Sequence, residues 1–348
     1  MDINKIKNEL ISQKESKFKG NIYHYSQVNF AYNSNKIEGS RLTSEQTEAI
    51  FDTSSFIPKS DDLIKLDDLT ESKNHFKLFD YMLDNVDELL TKEMIIEMNK
   101  ILKRNTSDEE NPRYNVGGFK VVPNIIGVVN VINTTAPEDV EEKIEELLNE
   151  YNSKSNITLE DIVDFHFRFE RIHPFGDGNG RTSRALEAYL LACGDENQRG
   201  FYTLANFYYR HRKEYFEALH DARFKYKGDL NEFVRFALVG YVQELENNYK
   251  QAVAFITKLA FLNYVEELLS RGNINTRGYG LVSFLLYTEQ EWKVQDILQK
   301  KRVFAGIFGK VTERTIRRDI ERLEKYHLVN ITNGRISADT SVMNQFTK

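Results

Sequence analysis

Residues 158 to 194 read TLEDIVDFHFRFERIHPFGDGNGRTSRALEAYLLACG, two helical patterns around a glycine-rich bend. Before the bend, Ile162, Phe165, His166, Phe169 and Ile172 recur at i, i+3, i+4, i+7 and i+10, the stripe of a helix with one buried face. Thr158 and Asp161 resemble a capping box, with Asp in place of Glu. Pro174 ends this helix. A second helix is expected to open near Asn179 or Gly180 and to run to Gly194, a C-terminal stop. His166, on the apolar face, reads as a satisfied core histidine rather than a ligand.

The bend, HPFGDGNGRTSR at residues 173 to 184, carries the chemistry. Gly178, Asn179 and Gly180 lie where one helix has ended and another starts. Glycine permits the positive φ that turns successive N–H groups inward, and the new helix adds unfilled N–H groups and a positive dipole end. Together these describe an anion site for phosphate. Arg181 and Arg184, three apart, leave the same face of the first turn, and a guanidinium grips phosphate oxygens with paired bonds. Asp177 is a hard oxygen ligand suited to a Mg²⁺ that keeps several waters. His173 has the side chain that accepts a proton near neutrality. The parts describe in-line transfer at a phosphorus centre of a bound nucleotide. An EF-hand fails, because Arg181, Thr182 and Ala188 would occupy its fifth, sixth and twelfth positions. A di-iron Glu170-x-x-His173 motif has no second pair to complete it.

The whole chain sets the frame. Its 348 residues, 41% hydrophobic and 29% charged, suggest two domains or three and ample core. The single Cys193 leaves no internal disulfide and fits a reducing, cytoplasmic setting. No apolar run approaches the length of a membrane span and the N-terminus lacks a signal-peptide pattern, so no membrane is expected. A net charge of -6 argues against wholesale coating of nucleic acid, though a local basic patch is compatible with it.

HPFGDGNGR resembles the signature of the Fic family, H-x-F-x-[D/E]-G-N-[G/K]-R, at every fixed position, and the resemblance spans roughly residues 20 to 240. It implies a mainly α fold, a Fic-type helical core with a small β-hairpin flap. It also implies protein adenylyltransfer, or AMPylation, moving AMP from ATP to a Ser, Thr or Tyr hydroxyl of a target protein or of the chain itself. His173 would then be the base and Phe175 an anchor of the loop. Asp177 would hold Mg²⁺. Gly178, Asn179, Gly180, Arg181, Thr182, Ser183 and Arg184 would bind ATP. In HRKEYFEAL, residues 211 to 219, Tyr215 would line the nucleoside, with Phe216 in place of the family's second tyrosine. The Val/Ile-rich segment 117–135, punctuated by Pro123 and Gly127, reads as a β-hairpin or a pair of short strands. It is either the target-presenting flap of the family or a plain stabilising hairpin.

Residues 34 to 39 read SNKIEG and match the family's inhibitory pattern [S/T]-x-x-x-E-[G/N] at Ser34, Glu38 and Gly39, on a helix near residues 30–39. The resemblance implies a brake in which Glu38 pairs with Arg184 and holds the γ-phosphate site. An interaction of about 2 to 4 kcal/mol would suppress the active pose ~30- to 1000-fold. The same glutamate implies a second activity, de-AMPylation. Self-association that buries this helix would be one control, through a homo-oligomer.

The expected domains are 1–240 for the Fic core, 241–290 for a helical connector with the glycine-rich stretch 271–280, and 291–348 for a C-terminal winged helix-turn-helix. The last rests on VQDILQK, then VTERTIRRDIERLEKYHLV, then a strand pair around Asn333-Gly334. Its cations suit DNA, while such modules often lose DNA affinity and serve protein contacts or dimerisation instead. Two other functions fit the residues: a nucleotide-sensing DNA-binding regulator, and a Fic-type transferase with another phosphate donor.

Overall fold

The computed structural model describes residues 22–55, 64–126, 132–193, 203–301 and 303–345. It divides into two compact units, residues 1–249 and 250–348.

The first unit is helical, as the patterns predict. Its helices are α1 (Ile22–Ile37), α2 (Ser44–Thr53), α3 (Leu66–Asp84) and α4 (Lys92–Lys103), then α5 (Val140–Asn152), α6 (Leu159–Ile172) and α7 (Asn179–Cys193). After these come α8 (Leu204–Arg210), α9 (Arg212–Phe224) and α10 (Asn231–Ser270), the last running on into the second unit. α6 forms where its stripe places it: Thr158 and Asp161 cap each other reciprocally, and the predicted apolar residues are buried. α7 opens at Asn179 and buries nearly all of its residues. A helix buried all round is a core element, and α7 lies against α3, α4, α6 and α8, with α1 also touching it. The expected stop at Gly194 lies outside the described residues.

Within the segment expected as a hairpin or a pair of short strands, two short strands are described. β1 (Ile125–Ile126) and β2 (Ile132–Asn133) pair antiparallel, Ile126 opposite Ile132. Residues 127–131, Gly127 among them, lie outside the described residues.

The second unit has α11 (Thr276–Thr288), β3 (Trp292–Lys293), α12 (Val294–Leu298), α13 (Phe304–Phe308), α14 (Glu313–Lys325), β4 (Val329–Thr332) and β5 (Arg335–Ala338). The sheet order is β3-β5-β4. Asn333 and Gly334 both have positive φ (52° and 73°), the backbone that a two-residue hairpin turn needs. The stretch expected as a connector contributes to this unit instead. Phe261, Val265, Leu281 and Leu285 share a core with Phe304, Ile316, Ile320 and Ile336. Full burial of such a side chain stabilises by about 1.5–3 kcal/mol, which an unpacked linker would forgo. Within 271–280, Asn275 caps α11, so the glycines at 278 and 280 are helical rather than loop. No helix among the described residues is long and apolar enough to cross a membrane.

Candidate active site

α6 ends at Ile172, and the chain turns on His173, whose backbone is left-handed (φ 54°, ψ 60°). This conformation is uncommon for a residue other than glycine, and persists where surrounding structure enforces it. The enforcement is visible. Phe175 is buried against Phe119 and Phe169. The Asn179 amide accepts the Phe175 N–H and donates to its carbonyl, both at 2.8 Å. From elsewhere in the chain, the Lys120 N–H donates to Pro174 O (2.8 Å) and Asn124 Nδ2 to Phe175 O (2.8 Å). Asn99 Nδ2 donates to Asp177 O (3.0 Å) and Thr182 Oγ1 (3.1 Å).

Beyond the turn, Gly178 takes φ +80° and α7 begins, so its first-turn N–H groups have no preceding carbonyl to serve. Two charge systems meet here. In one, buried Lys103 contacts Glu71 (2.7 Å), Asp108 (2.5 Å) and Asp177 (2.6 Å). Arg181 pairs with Glu71 and reaches Asp177 at 3.1 Å. Burial by itself would raise the Asp177 carboxyl, but Arg181 and Lys103 outweigh it and hold it at about 2. In the other system, Arg184, 1% exposed, donates Nε to Ser34 Oγ (3.1 Å) and Nη2 to Ser34 O (3.0 Å). The same Nη2 contacts Glu38 Oε1 at 2.7 Å. Burial opposes the Glu38 charge, and Arg184 with Arg181 overcomes it, so Glu38 stays below its ordinary value. A Cβ on Gly180 would sit 2.3 Å from Glu38 Oε1, so a larger residue there would make the Glu38 carboxylate shift.

Burial, with Lys120 adding like charge, pushes the His173 imidazole down to about 4, so it is neutral at pH 7. Its Nδ1 makes no hydrogen bond, and Glu170 Oε2 stands 3.9 Å from it. Burial pushes Glu170 up to about 7 against the pull of Arg184.

The fold thus gathers His173, Asp177, Gly178, Gly180, Arg181, Arg184, Ser34 and Glu38, with Gly39 (φ +96°) just past the end of α1. Four other expected ligands are placed differently. Thr182 and Ser183 are buried, Thr182 facing Asn99 and Ser183 Oγ lying 3.1 Å from His166 Nδ1. At 100° per residue they leave the helix on the side away from the arginines. The Asn179 side chain clips the loop rather than facing outward. Tyr215, expected at a nucleoside, is 1% exposed, bonds His166 Nε2 (2.8 Å) and stacks on Tyr208 at 4.3 Å. Its neighbour Phe216, 44% exposed, lines a cleft of about 600 Å³ with Arg212 and His220. Phe216 also borders a cavity of about 260 Å³ with Ile126, Ile132, Phe167 and Glu170. His166 is the satisfied core histidine expected of it.

Asp177 fits a bound Mg²⁺: it is a hard carboxylate, 43% exposed, beside the open N-terminus of α7, with one oxygen already engaged by Lys103 and Arg181. Lys103, Asn99, Glu71, Lys120 and Glu170 carry this site, and sequence reading assigned none of them. The available signal was polarity out of place, since Asn99 and Lys103 share the buried face of α4 with Ile95, Met98 and Leu102.

Residues 89–191 match the Fic/DOC family. A protein adenylyltransferase Fic from Nematostella vectensis is 28% identical over 210 residues, covering 59% of this chain and 44% of that one. A protein adenylyltransferase fic-1 from Caenorhabditis elegans is 26% identical over 215 residues, covering 60% and 38%. The chain therefore spans less than half the length of these curated relatives. Among solved structures, a Fic family protein from Desulfovibrio desulfuricans superposes with a TM-score of 0.57 at 17% identity, covering 95% of this chain and 93% of that one. A Fic-domain signaling protein from Bacteroides thetaiotaomicron gives 0.54 at 22% identity, covering 70% and 96%. These likenesses are of fold.

Proposed function

We propose, from the match of residues 89–191 to the Fic/DOC family, that the chain is an autoinhibited protein adenylyltransferase. The attacking group is a Ser, Thr or Tyr hydroxyl of a protein. Its oxygen bonds to the α-phosphorus of ATP, the bond from that phosphorus to the bridging oxygen breaks, and pyrophosphate leaves. The hydroxyl proton goes to the His173 imidazole, which is available because burial keeps it neutral. The first-turn N–H groups of α7 and the guanidinium of Arg181 hold the phosphate chain while charge develops on the leaving oxygen. Asp177 would hold Mg²⁺, which when bound supplies charge neutralisation for the phosphates.

The observation that carries the autoinhibited form is the contact of Glu38 with Arg184 at 2.7 Å, between residues 146 apart in sequence. A γ-phosphate and a carboxylate compete for one guanidinium, and here the carboxylate has it. Ser34 adds its hydroxyl and carbonyl, so these bonds hold Arg184 to the last turn of α1 and to the residue just past its end. When Glu38 leaves, Arg184 becomes a buried cation that needs an anion, which makes ATP its natural replacement.

The test is mass spectrometry of the Glu38→Gly protein after incubation with ATP and Mg²⁺. A gain of one AMP per modified site, absent from the unsubstituted protein, is the expected result. A gain of one phosphate, or no gain at all, overturns the reading.

A further inference from the structure

The two units differ in the sign of their charge. From 250 to 348 the chain has 16 lysines and arginines against 10 aspartates and glutamates, whereas residues 1 to 249 have 31 against 43. Within the second unit two sets of these cations stand apart. Lys258, Arg271, Arg277, Lys301 and Arg317 each face a carboxylate, Glu289, Glu267, Asp319, Asp296 and Glu313 respectively. Arg314, Arg318, Arg322, Lys325, Lys293 and Arg335 are exposed, and none has a side-chain partner among the described residues.

The unpartnered set is ordered in space. α14 buries Ile316, Asp319, Ile320 and Leu323. At about 100° per residue, Lys325 points directly away from that face, Arg314 and Arg318 lie within about 20° of it, and Arg322 about 60° away. Glu313 and Glu324 fall on the flank beside Arg317, so Glu321 is the one acid on the outward face. The stripe from Arg314 to Lys325 is about 16 Å long. A four-residue turn containing Gly309 joins α13 to α14, the arrangement of a helix-turn-helix. On the sheet, Lys293 and Arg335 stand directly opposite each other across β3 and β5. Like charges so placed repel, and no carboxylate among the described residues relieves them.

We propose that this face binds duplex DNA, with α14 in the major groove and the β4–β5 hairpin with its Arg335 on the adjoining backbone. An α-helix fits the B-form major groove, whereas the deep, narrow groove of A-form RNA excludes it. The cations supply affinity through phosphate, and their lack of internal partners leaves no ion pair to be broken first. The inference is independent of adenylyl transfer.

The experiment is fluorescence anisotropy of the full chain with a labelled mixed-sequence 30-base-pair DNA, from about 50 to 200 mM NaCl. Binding that weakens steeply with salt is expected, with Arg314→Glu/Arg318→Glu lowering affinity at least tenfold. Arg314→Gln/Arg318→Gln, which removes charge without reversing it, should reduce the salt slope by about 2. Lys77→Glu/Lys143→Glu, an equal charge change in the first unit, should leave binding unchanged. Circular dichroism checks that each variant folds. The proposal is overturned by absent binding at 50 mM salt, by indifference to the α14 substitutions, by an equal loss in the first-unit variant, or by equal affinity for A-form RNA or for anionic phosphatidylserine vesicles.

Discussion

The cations around residues 173–184 and those along α14 solve opposite problems. Lys103, Arg181 and Arg184 are buried, and each is matched to carboxylates or, for Arg184, also to Ser34. Such a site admits a ligand by exchange: an incoming anion must displace a carboxylate already in place. Arg314, Arg318, Arg322 and Lys325 of α14 are exposed and unmatched among the described residues, and so admit a polyanion by release of counterions alone. The first arrangement would suit a switch and the second a docking surface, from the same two residue types.

The largest test of this contrast removes the proton acceptor and spares the cations. His173→Ala in the Glu38→Gly background should lower AMP transfer from ATP by about 10²- to 10⁴-fold, measured with labelled nucleotide. Retention of nucleotide binding would separate loss of chemistry from loss of the anion site.

Next is the cost of unmatching a buried system. Lys103→Met leaves Glu71, Asp108 and Asp177 without their shared ammonium, and should destabilise the protein by about 3 kcal/mol in urea unfolding. Millimolar Mg²⁺ should restore part of that loss through Asp177. A fully tolerated Lys103→Met would show that Arg181 suffices for Glu71 and Asp177.

The brake comes third. Glu38 is 37% exposed, so solvent screens its pairing with Arg184. Glu38→Gly is accordingly expected to raise self-AMPylation by about 30-fold, the lower end of the range its sequence pattern suggests. Equal labelling of both forms would remove the exchange argument.

The smallest effect is a pH dependence. Glu187 is buried, takes a hydrogen bond from Tyr208 (2.8 Å), and is pushed up to about 8 by burial. A carboxyl whose folded value lies above its unfolded one binds more protons when folded. Its stabilising contribution is full at acid pH and is lost as pH rises from about 4.5 towards 8. Glu187→Gln should flatten that part of the stability-versus-pH curve, read from thermal midpoints. An unchanged slope would assign the dependence to other groups.

Legibility followed range. The helix–bend–helix of 158–193 was open to reading because its signals are local: a capping pair, an apolar period, a proline and three glycines within a few residues. The turn at Asn333-Gly334 was legible for the same reason. Tyr215 misled because sequence spacing does not say which of two adjacent rings faces the core. On α9 they diverge by about 100°, and Tyr215 went inward to His166 while Phe216 took the surface. The connector misled because amphipathic helices look alike whichever core they complete, and residues 261–286 complete the second unit's.

By itself, the sequence determined which groups this protein has for phosphate chemistry and that they sit on one turn, since bend and helix start are set by neighbours in the chain. Tertiary structure decided the partners that no pattern implied: Lys103 for Asp177, and none among the described residues for Arg314 and Arg318. The reason is that an ion pair forms where two elements happen to pack, and burial then sets what it costs to exchange.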